Sequence, residues 1–263
     1  MQSKEAKTET IKNVSLQTGQ LISRGAIVRI IIGILLLLVL AHIGFYKTYI
    51  RHFPGFADYT TPSGRKFHFT WVIHFHGMMM IGWLLMLLLQ PFLILKGKIK
   101  LHRLVGRLSY VLAPLVMFSM YLVTHSSLHR ELAQGMAVVA RRVALDVPLI
   151  IFFAILYLLA IFTTHKTALH SRFMCSTAFI LISPALSRTL RAYFDFSRED
   201  SIDMSKNIIV IVAGIITVID SWRTKRISPF ALVLGFMVLN RIIWSIRDTP
   251  FWHSIANEIA KMF

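Results

Sequence analysis

The chain is poor in cysteine and in acidic residues. One cysteine, Cys175, and 12 Asp plus Glu stand among 263 residues, and only 16% of all residues are charged. A single cysteine excludes a disulfide framework and a zinc-thiolate site within one chain. With 56% hydrophobic residues and a mean hydropathy of +0.64, the composition excludes an ordinary soluble domain of this size.

Sequence motifs of soluble enzymes are missing as well. The chain has no acidic pair, serine-histidine arrangement, nucleotide-binding loop or kinase-like motif. The formal net charge of +17 comes from Lys and Arg scattered between apolar runs, without the basic helix of a nucleic-acid reader. We therefore expect contact with anionic lipid of the bilayer and no nucleic-acid partner.

Long apolar runs are what the chain has in abundance. Each of seven runs approaches the roughly 20 residues that a membrane-spanning helix needs. They lie at about residues 26–46, 68–95, 104–124, 147–164, 173–194, 207–221 and 229–246. The runs are continuous, and helices satisfy their own backbone groups in lipid. The prediction is an all-α fold, a polytopic membrane helical bundle of about seven transmembrane helices.

Three parts follow along the chain: a polar tail at 1–25, a transmembrane domain at 26–246, and a C-terminal helix at 247–263. The tail is too polar for a cleavable signal peptide. The last helix alternates apolar and polar residues at helical spacing, so we expect it along the interface.

Short basic connections predict the orientation. The connections 96–103, 165–172 and 222–228 are dense in Lys and Arg, whereas the opposite face carries the longer connections 47–67, 125–146 and 195–206. Short loops rich in Lys and Arg stay cytoplasmic. We predict a multi-pass protein of the bacterial inner (cytoplasmic) membrane with a cytoplasmic N-terminus.

A weak internal repeat connects the third and fifth runs. They begin LHRLVGRLSYVLAPL and LHSRFMCSTAFILISPAL, each with Leu-His, a nearby arginine and a later proline, Pro114 or Pro184. Repeats of this kind are common in membrane proteins. The pattern predicts two related helical hairpins at the centre of the bundle.

Histidines at membrane depth are the candidate functional residues, because an ionisable side chain in lipid is costly. HFHGMMMIGW places His74 and His76 inside the second run. An outer layer comprises His42, His74, His76, His125 and His129, and an inner layer includes His102 and His170. A helix of the third run would separate His102 from His125 by roughly 35 Å, so any metal chemistry divides into two sites.

Two imidazoles on facing helices can hold a haem iron from both sides. We predict haem b between His76 and His125 and between His102 and His170, which gives an electron path across the membrane. Arg103 and Arg188 would neutralise haem propionates. A redox partner or quinone would exchange the electrons.

Other interpretations stay open. The outer histidines His42, His74, His76, His125 and His129 also suit iron, copper or zinc in a metal-dependent oxidoreductase or hydrolase. Alternatively, the inner histidines contact lipid phosphate, and His76 forms a hydrogen bond across helices. Arg188, Arg191 and Arg241 then bind an anionic group. That interpretation predicts a scaffold or a small-anion transporter.

The stretch HFHGMMMIGWLLMLLLQPFLILKGKIKLHRLVGRLSY resembles bacterial multi-pass membrane proteins of unknown function, particularly from Bacteroidota. The shared pattern is His76, Gln90, Pro91, His102, Arg103, Gly106, Ser109 and Tyr110. The later blocks HSRFM and SPALSR add His170, Arg172, Met174, Pro184 and Arg188. The resemblance implies family membership and no particular activity.

A looser similarity is to cytochrome b561-type haem proteins, which have helical hairpins with a histidine on each helix. It implies haem b and transmembrane electron transfer. His102 and His170 lie nearer to helix ends than that pattern requires.

Overall fold

The computed structural model describes residues 23–60 and 66–263, so most of the predicted tail lies outside the described residues. The only strands in this part of the chain, β1 (Tyr59–Thr60) and β2 (Lys66–Phe67), pair antiparallel in a short hairpin. The helices are α1 (Arg24–Tyr46), α2 (Trp71–Leu95), α3 (Ile99–Gly106), α4 (Ser109–Leu132), α5 (Met136–Phe162), α6 (Thr167–Ser176), α7 (Phe179–Tyr193), α8 (Arg198–Thr224), α9 (Phe230–Ser245) and α10 (Pro250–Ala260).

Six segments are each long and apolar enough to cross a membrane: α1, α2, α4, α5, α8, and α6 together with α7. The pair α9 and α10 passes as a seventh only when joined, and the two helices are bent by 107° to each other. The protein is therefore an all-α membrane bundle of six or seven spans, as predicted. Its orientation, its membrane and the interfacial position of α10 stay predictions.

Connections alternate between the two ends of the bundle. We call hairpin end the one that carries residues 47–60, 66–70, 133–135, 194–197 and 246–249. We call basic end the one that carries 96–98, 163–166 and 225–229. The hairpin end corresponds to the face predicted to lie outside.

Two of the predicted long loops are in fact mostly helix. In place of a loop at 125–146, α4 continues to Leu132 and α5 begins at Met136. Similarly, α8 begins at Arg198 rather than at 207, after Ser197, whose hydroxyl accepts a hydrogen bond from the Asp200 amide (3.1 Å). The predicted spans stopped at polar or charged residues, but the helices continue through them, since Arg142 pairs with Glu131 and Asp146, and Lys206 donates to Asn240.

The centre of the core is Trp83 of α2, which is fully buried. Its ring packs edge-on against Phe153 and Tyr157 of α5. Its Nε1 donates to Thr177 Oγ1 (3.0 Å), in the short break between α6 and α7. A buried indole N–H needs an acceptor, so this bond fixes α2 against the break.

The same break occurs in both halves of the predicted repeat. Residues 107–108 separate α3 from α4, and residues 177–178 separate α6 from α7. Each second helix carries its proline, Pro114 or Pro184, inside. The structure thus gives both halves a short helix followed by a longer one.

Gly44 lies where α1 and α7 cross closely. A Cβ added there would overlap the Ala185 carbonyl oxygen and lie 3.1 Å from Thr189 Oγ1, whereas one added at Gly33 meets nothing within 4 Å. We expect Gly44→Ala to lower the free energy of unfolding by about 1–3 kcal/mol through overpacking. Gly33→Ala should raise it by up to about 1 kcal/mol through helix propensity. Thermal unfolding in detergent measures both, and equal effects of the two changes would contradict a tight crossing.

Candidate functional site

Charged side chains gather inside the hairpin end of the bundle. Glu131 of α4, 1% exposed, accepts two hydrogen bonds from Arg142 of α5: Nε to Oε2 at 3.0 Å and Nη2 to Oε1 at 2.5 Å. Arg142 Nη1 also lies 3.5 Å from Asp146 Oδ2. A two-pronged guanidinium-carboxylate contact is strong and directional. Arg142 is therefore shared by two carboxylates and holds α4 against α5.

Lys206 is a buried cation in α8. Lys206 lies about 12 Å along α8 from the first residue of the helix, Arg198, at 1.5 Å per residue. The residue is only 2% exposed. Its Nζ donates to Asn240 Oδ1 of α9 and lies 5.5 Å from the ring centroid of Trp244. Within residues 23–60 and 66–263 the ammonium forms no ion pair within 4 Å. One amide oxygen thus serves a group that has three hydrogens to donate.

Two donors beside Lys206 are also unsatisfied. Asn240 Nδ2 and Trp244 Nε1 are buried, and neither meets an acceptor in the described part of the chain. Leaving a buried donor unpaired costs about 1–3 kcal/mol. Lys206, Asn240 and Trp244 therefore form a cluster with more donors than acceptors, which we call the donor cluster.

Arg188 of α7 is a second cation without a carboxylate contact. Its Nη1 donates to the Pro184 carbonyl (2.9 Å), and its guanidinium carbon lies 4.5 Å from the ring centroid of Phe45. Among the described residues it forms no ion pair within 4 Å. A carbonyl and an aromatic face use few of its five donors.

Asp146 is the carboxylate that these cations share. It interacts electrostatically with Arg142, Arg188 and Lys206, which come from α5, α7 and α8. Its one close ion pair in the described structure is with Arg142. Asp203 and Arg241 also act on Lys206, but they pair with each other, so Lys206 has no close counter-ion of its own among the described residues.

A cavity near the hairpin end reaches the donor cluster at Trp244. It has a volume of about 220 Å³, and its lining includes Trp244, Arg142, Arg141, Arg198 and Glu131. A water molecule occupies about 30 Å³. The cavity can therefore admit several waters or one small ion beside Trp244.

His76 lies near this region with a defined ring orientation. The Ser119 hydroxyl donates to the Val116 carbonyl (2.7 Å), so its oxygen accepts from His76 Nδ1 (3.1 Å). The hydrogen is then on Nδ1, and Nε2 keeps its lone pair. The hydrogen bond across helices agrees with one of the sequence interpretations. Arg188 is close enough to act electrostatically on this imidazole.

The other histidines predicted near this end lie apart from His76. His74 Nδ1 lies 2.7 Å from the Tyr49 hydroxyl, and the ring of His42 contacts Tyr46. His125 and His129 pair with each other, Nε2 to Nε2 at 3.2 Å. No group of three His, Cys, Asp or Glu able to hold a metal occurs in residues 23–60 and 66–263. Of the five predicted metal ligands, only His125 and His129 come together.

The predicted inner pair lies at the basic end. Gln90, oriented so that its oxygen accepts from the Gly106 amide (3.1 Å), donates through its nitrogen to His102 Nδ1. Burial lowers the pKa of His102, and nearby His170 and Arg103 add to this effect. His170 Nδ1 donates to the Ala160 carbonyl (2.8 Å). His102 thus carries its hydrogen on Nε2, whereas His170 keeps a lone pair there.

Sequence reasoning missed the donor cluster. Lys206 directly precedes an apolar run, and Asn240 and Trp244 lie inside one, in FALVLGFMVLNRIIW. A lone amide in such a run is a recognisable signal, since polar groups in lipid need partners. Which groups meet Asn240 depends on the packing of α8 against α9, which no local pattern contains.

Comparison with models of protein families, with curated proteins and with solved structures finds no significant match. The resemblances to a bacterial membrane family and to cytochrome b561-type proteins therefore stay predictions.

The Glu131 pair supplies a stability test. Arg142→Leu removes both hydrogen bonds to a carboxylate that is 1% exposed, and breaking a buried pair from one side costs about 3–5 kcal/mol. The control is Lys261→Ala, which breaks the exposed Lys261–Glu258 pair and should cost at most about 1 kcal/mol. Thermal unfolding in detergent compares them. Similar losses for both variants would contradict a structural role of Arg142.

Proposed function

We propose that this integral membrane protein binds a small anion in the polar half of its bundle and serves as a carrier or receptor for it. The supporting observation is the donor cluster, where Lys206, Asn240 and Trp244 have more hydrogens to donate than acceptors to receive them. Arg188 adds a second cation near Asp146.

The physical argument is one of charge in an apolar medium. A buried cation without a counter-ion loses several kcal/mol of hydration. An anion beside Lys206 would restore neutrality and supply lone pairs to the Asn240 amide and the Trp244 indole. Ammonium, amide and indole groups are all hydrogen-bond donors, which suits chloride, carboxylate or phosphate. Intramembrane charges of this kind mark ion and substrate pathways.

Asn240→Asp tests this proposal sharply, because it places a fixed carboxylate beside Lys206. The protein is kept in a buffer whose anion is a bulky sulfonate, and the sulfonate is replaced by acetate, phosphate or chloride at constant ionic strength. The Tm of the natural protein should rise as the concentration of the small anion rises. Asn240→Asp should have a higher Tm without added anion and should no longer respond. Thermal unfolding in detergent gives both quantities.

The matched control is Asn257→Asp, the same change at an exposed position of α10. It should keep the response of the natural protein. A natural protein that none of the three anions stabilises, or an Asn240→Asp variant that still responds, would contradict the proposal. Anion uptake into liposomes that contain the protein then distinguishes a carrier from a receptor.

Haem b stays a second proposal, supported by the ring orientations of His76 and His170. Each donates from Nδ1 to a protein oxygen and keeps its Nε2 lone pair, as metal-bound histidines usually do. The predicted second ligands would have to rearrange, because His125 faces His129 and His102 carries its hydrogen on Nε2. An oxidised-minus-reduced visible spectrum tests this: we expect a Soret band that His170→Ala or His76→Ala alters. A colourless folded protein from haem-replete cells would contradict it.

A further inference from the structure

His125 and His129 lie one helical turn apart near the hairpin end of α4. Their Nε2 atoms are 3.2 Å apart and their ring centroids 4.4 Å apart. His129 is exposed and His125 is half-buried. The two rings therefore turn the same nitrogen toward one shared point at an accessible surface.

The contact implies at least one lone pair at that point. Two neutral imidazoles can share only one hydrogen between facing nitrogens, so one Nε2 donates and the other accepts. A divalent cation can replace that hydrogen. With metal-nitrogen bonds of about 2.0–2.1 Å, tetrahedral coordination places two nitrogens about 3.3 Å apart and square-planar coordination about 2.9 Å apart. The observed 3.2 Å lies between these values.

We propose that His125 and His129 form a two-nitrogen binding site for a first-row divalent cation, Zn²⁺, Ni²⁺ or Cu²⁺, with solvent on the remaining positions. Imidazole selects these ions over Mg²⁺ and Ca²⁺, which prefer oxygen. The neighbouring Arg130 directs its guanidinium to Ser126 and Ser127 (2.6 and 3.0 Å), whose hydroxyls hold it along the preceding turn.

Other histidines near the same end lack this geometry. His74 contacts the Tyr49 hydroxyl, His76 contacts Ser119, and His68 contacts the Asp58 carboxylate. The inference stands apart from anion binding, since the pair shares no residue with the donor cluster. Either proposal can fail while the other holds.

Copper binding tests the pair directly. The full chain, purified in detergent through a tag without histidine and freed of metal by a chelator, is titrated with Cu²⁺ and followed by electron paramagnetic resonance. We expect one Cu²⁺ per chain at the tightest site, with splitting from two nitrogens. His129→Ala and His125→Ala should each weaken that site at least about tenfold, because the chelate is lost.

His165→Ala is the control, since His165 is exposed at the basic end. It should leave the tightest site unchanged. The metal-free Tm of each variant shows whether it is folded, and exposed His129 should tolerate its change without loss. Equal Cu²⁺ affinity in His129→Ala and the natural protein, or splitting from one nitrogen at one equivalent, would overturn the proposal.

Discussion

Cations from three helices share the single negative charge of Asp146, and the arrangement of the polar half of the bundle depends on this shared carboxylate. Arg142 uses Asp146 and Glu131 together, which leaves Arg188 and Lys206 with a carboxylate that acts on them without pairing closely. In an apolar medium such cations are stable only with nearby counter-charge or water. The helix ends are thereby held together around a region that still needs an acceptor.

A fully satisfied ion pair elsewhere in the bundle shows the contrast. Arg172 of α6 donates to both carboxylate oxygens of Asp220 in α8, at 3.0 and 2.8 Å, and Ser228 donates to the same carboxylate at 2.6 Å. Arg172 also donates to the Ala168 carbonyl. Every charge there has its partner, as expected of a structural contact. Lys206 and Arg188 have no such carboxylate partner within 4 Å in the described structure, and for this reason we propose a ligand for them.

Sequence reasoning predicted the architecture well, because an apolar run long enough to span lipid is a local property. The helical hairpin repeat and the depth of His76 and Arg188 also follow from local patterns. The first residues of α5 and α8 do not follow from local patterns, because an apolar run ends where Arg142 or Lys206 interrupts it. Both helices continue through these positions, because Glu131 of another helix pairs with Arg142 and the Asn240 amide of another helix accepts from Lys206. The i,i+4 spacing of His125 and His129 places both on one face of a helix, and the structure brings their nitrogens together.

The central claim is that an anion occupies the donor cluster, and locating a heavy anion there tests it most directly. Crystals of the protein grown with bromide would show the ion by anomalous scattering. The account predicts a bromide peak within about 3.5 Å of Lys206 Nζ and either Asn240 Nδ2 or Trp244 Nε1, a normal hydrogen-bond range. A donor cluster without bromide, in crystals that bind the ion elsewhere, would contradict it.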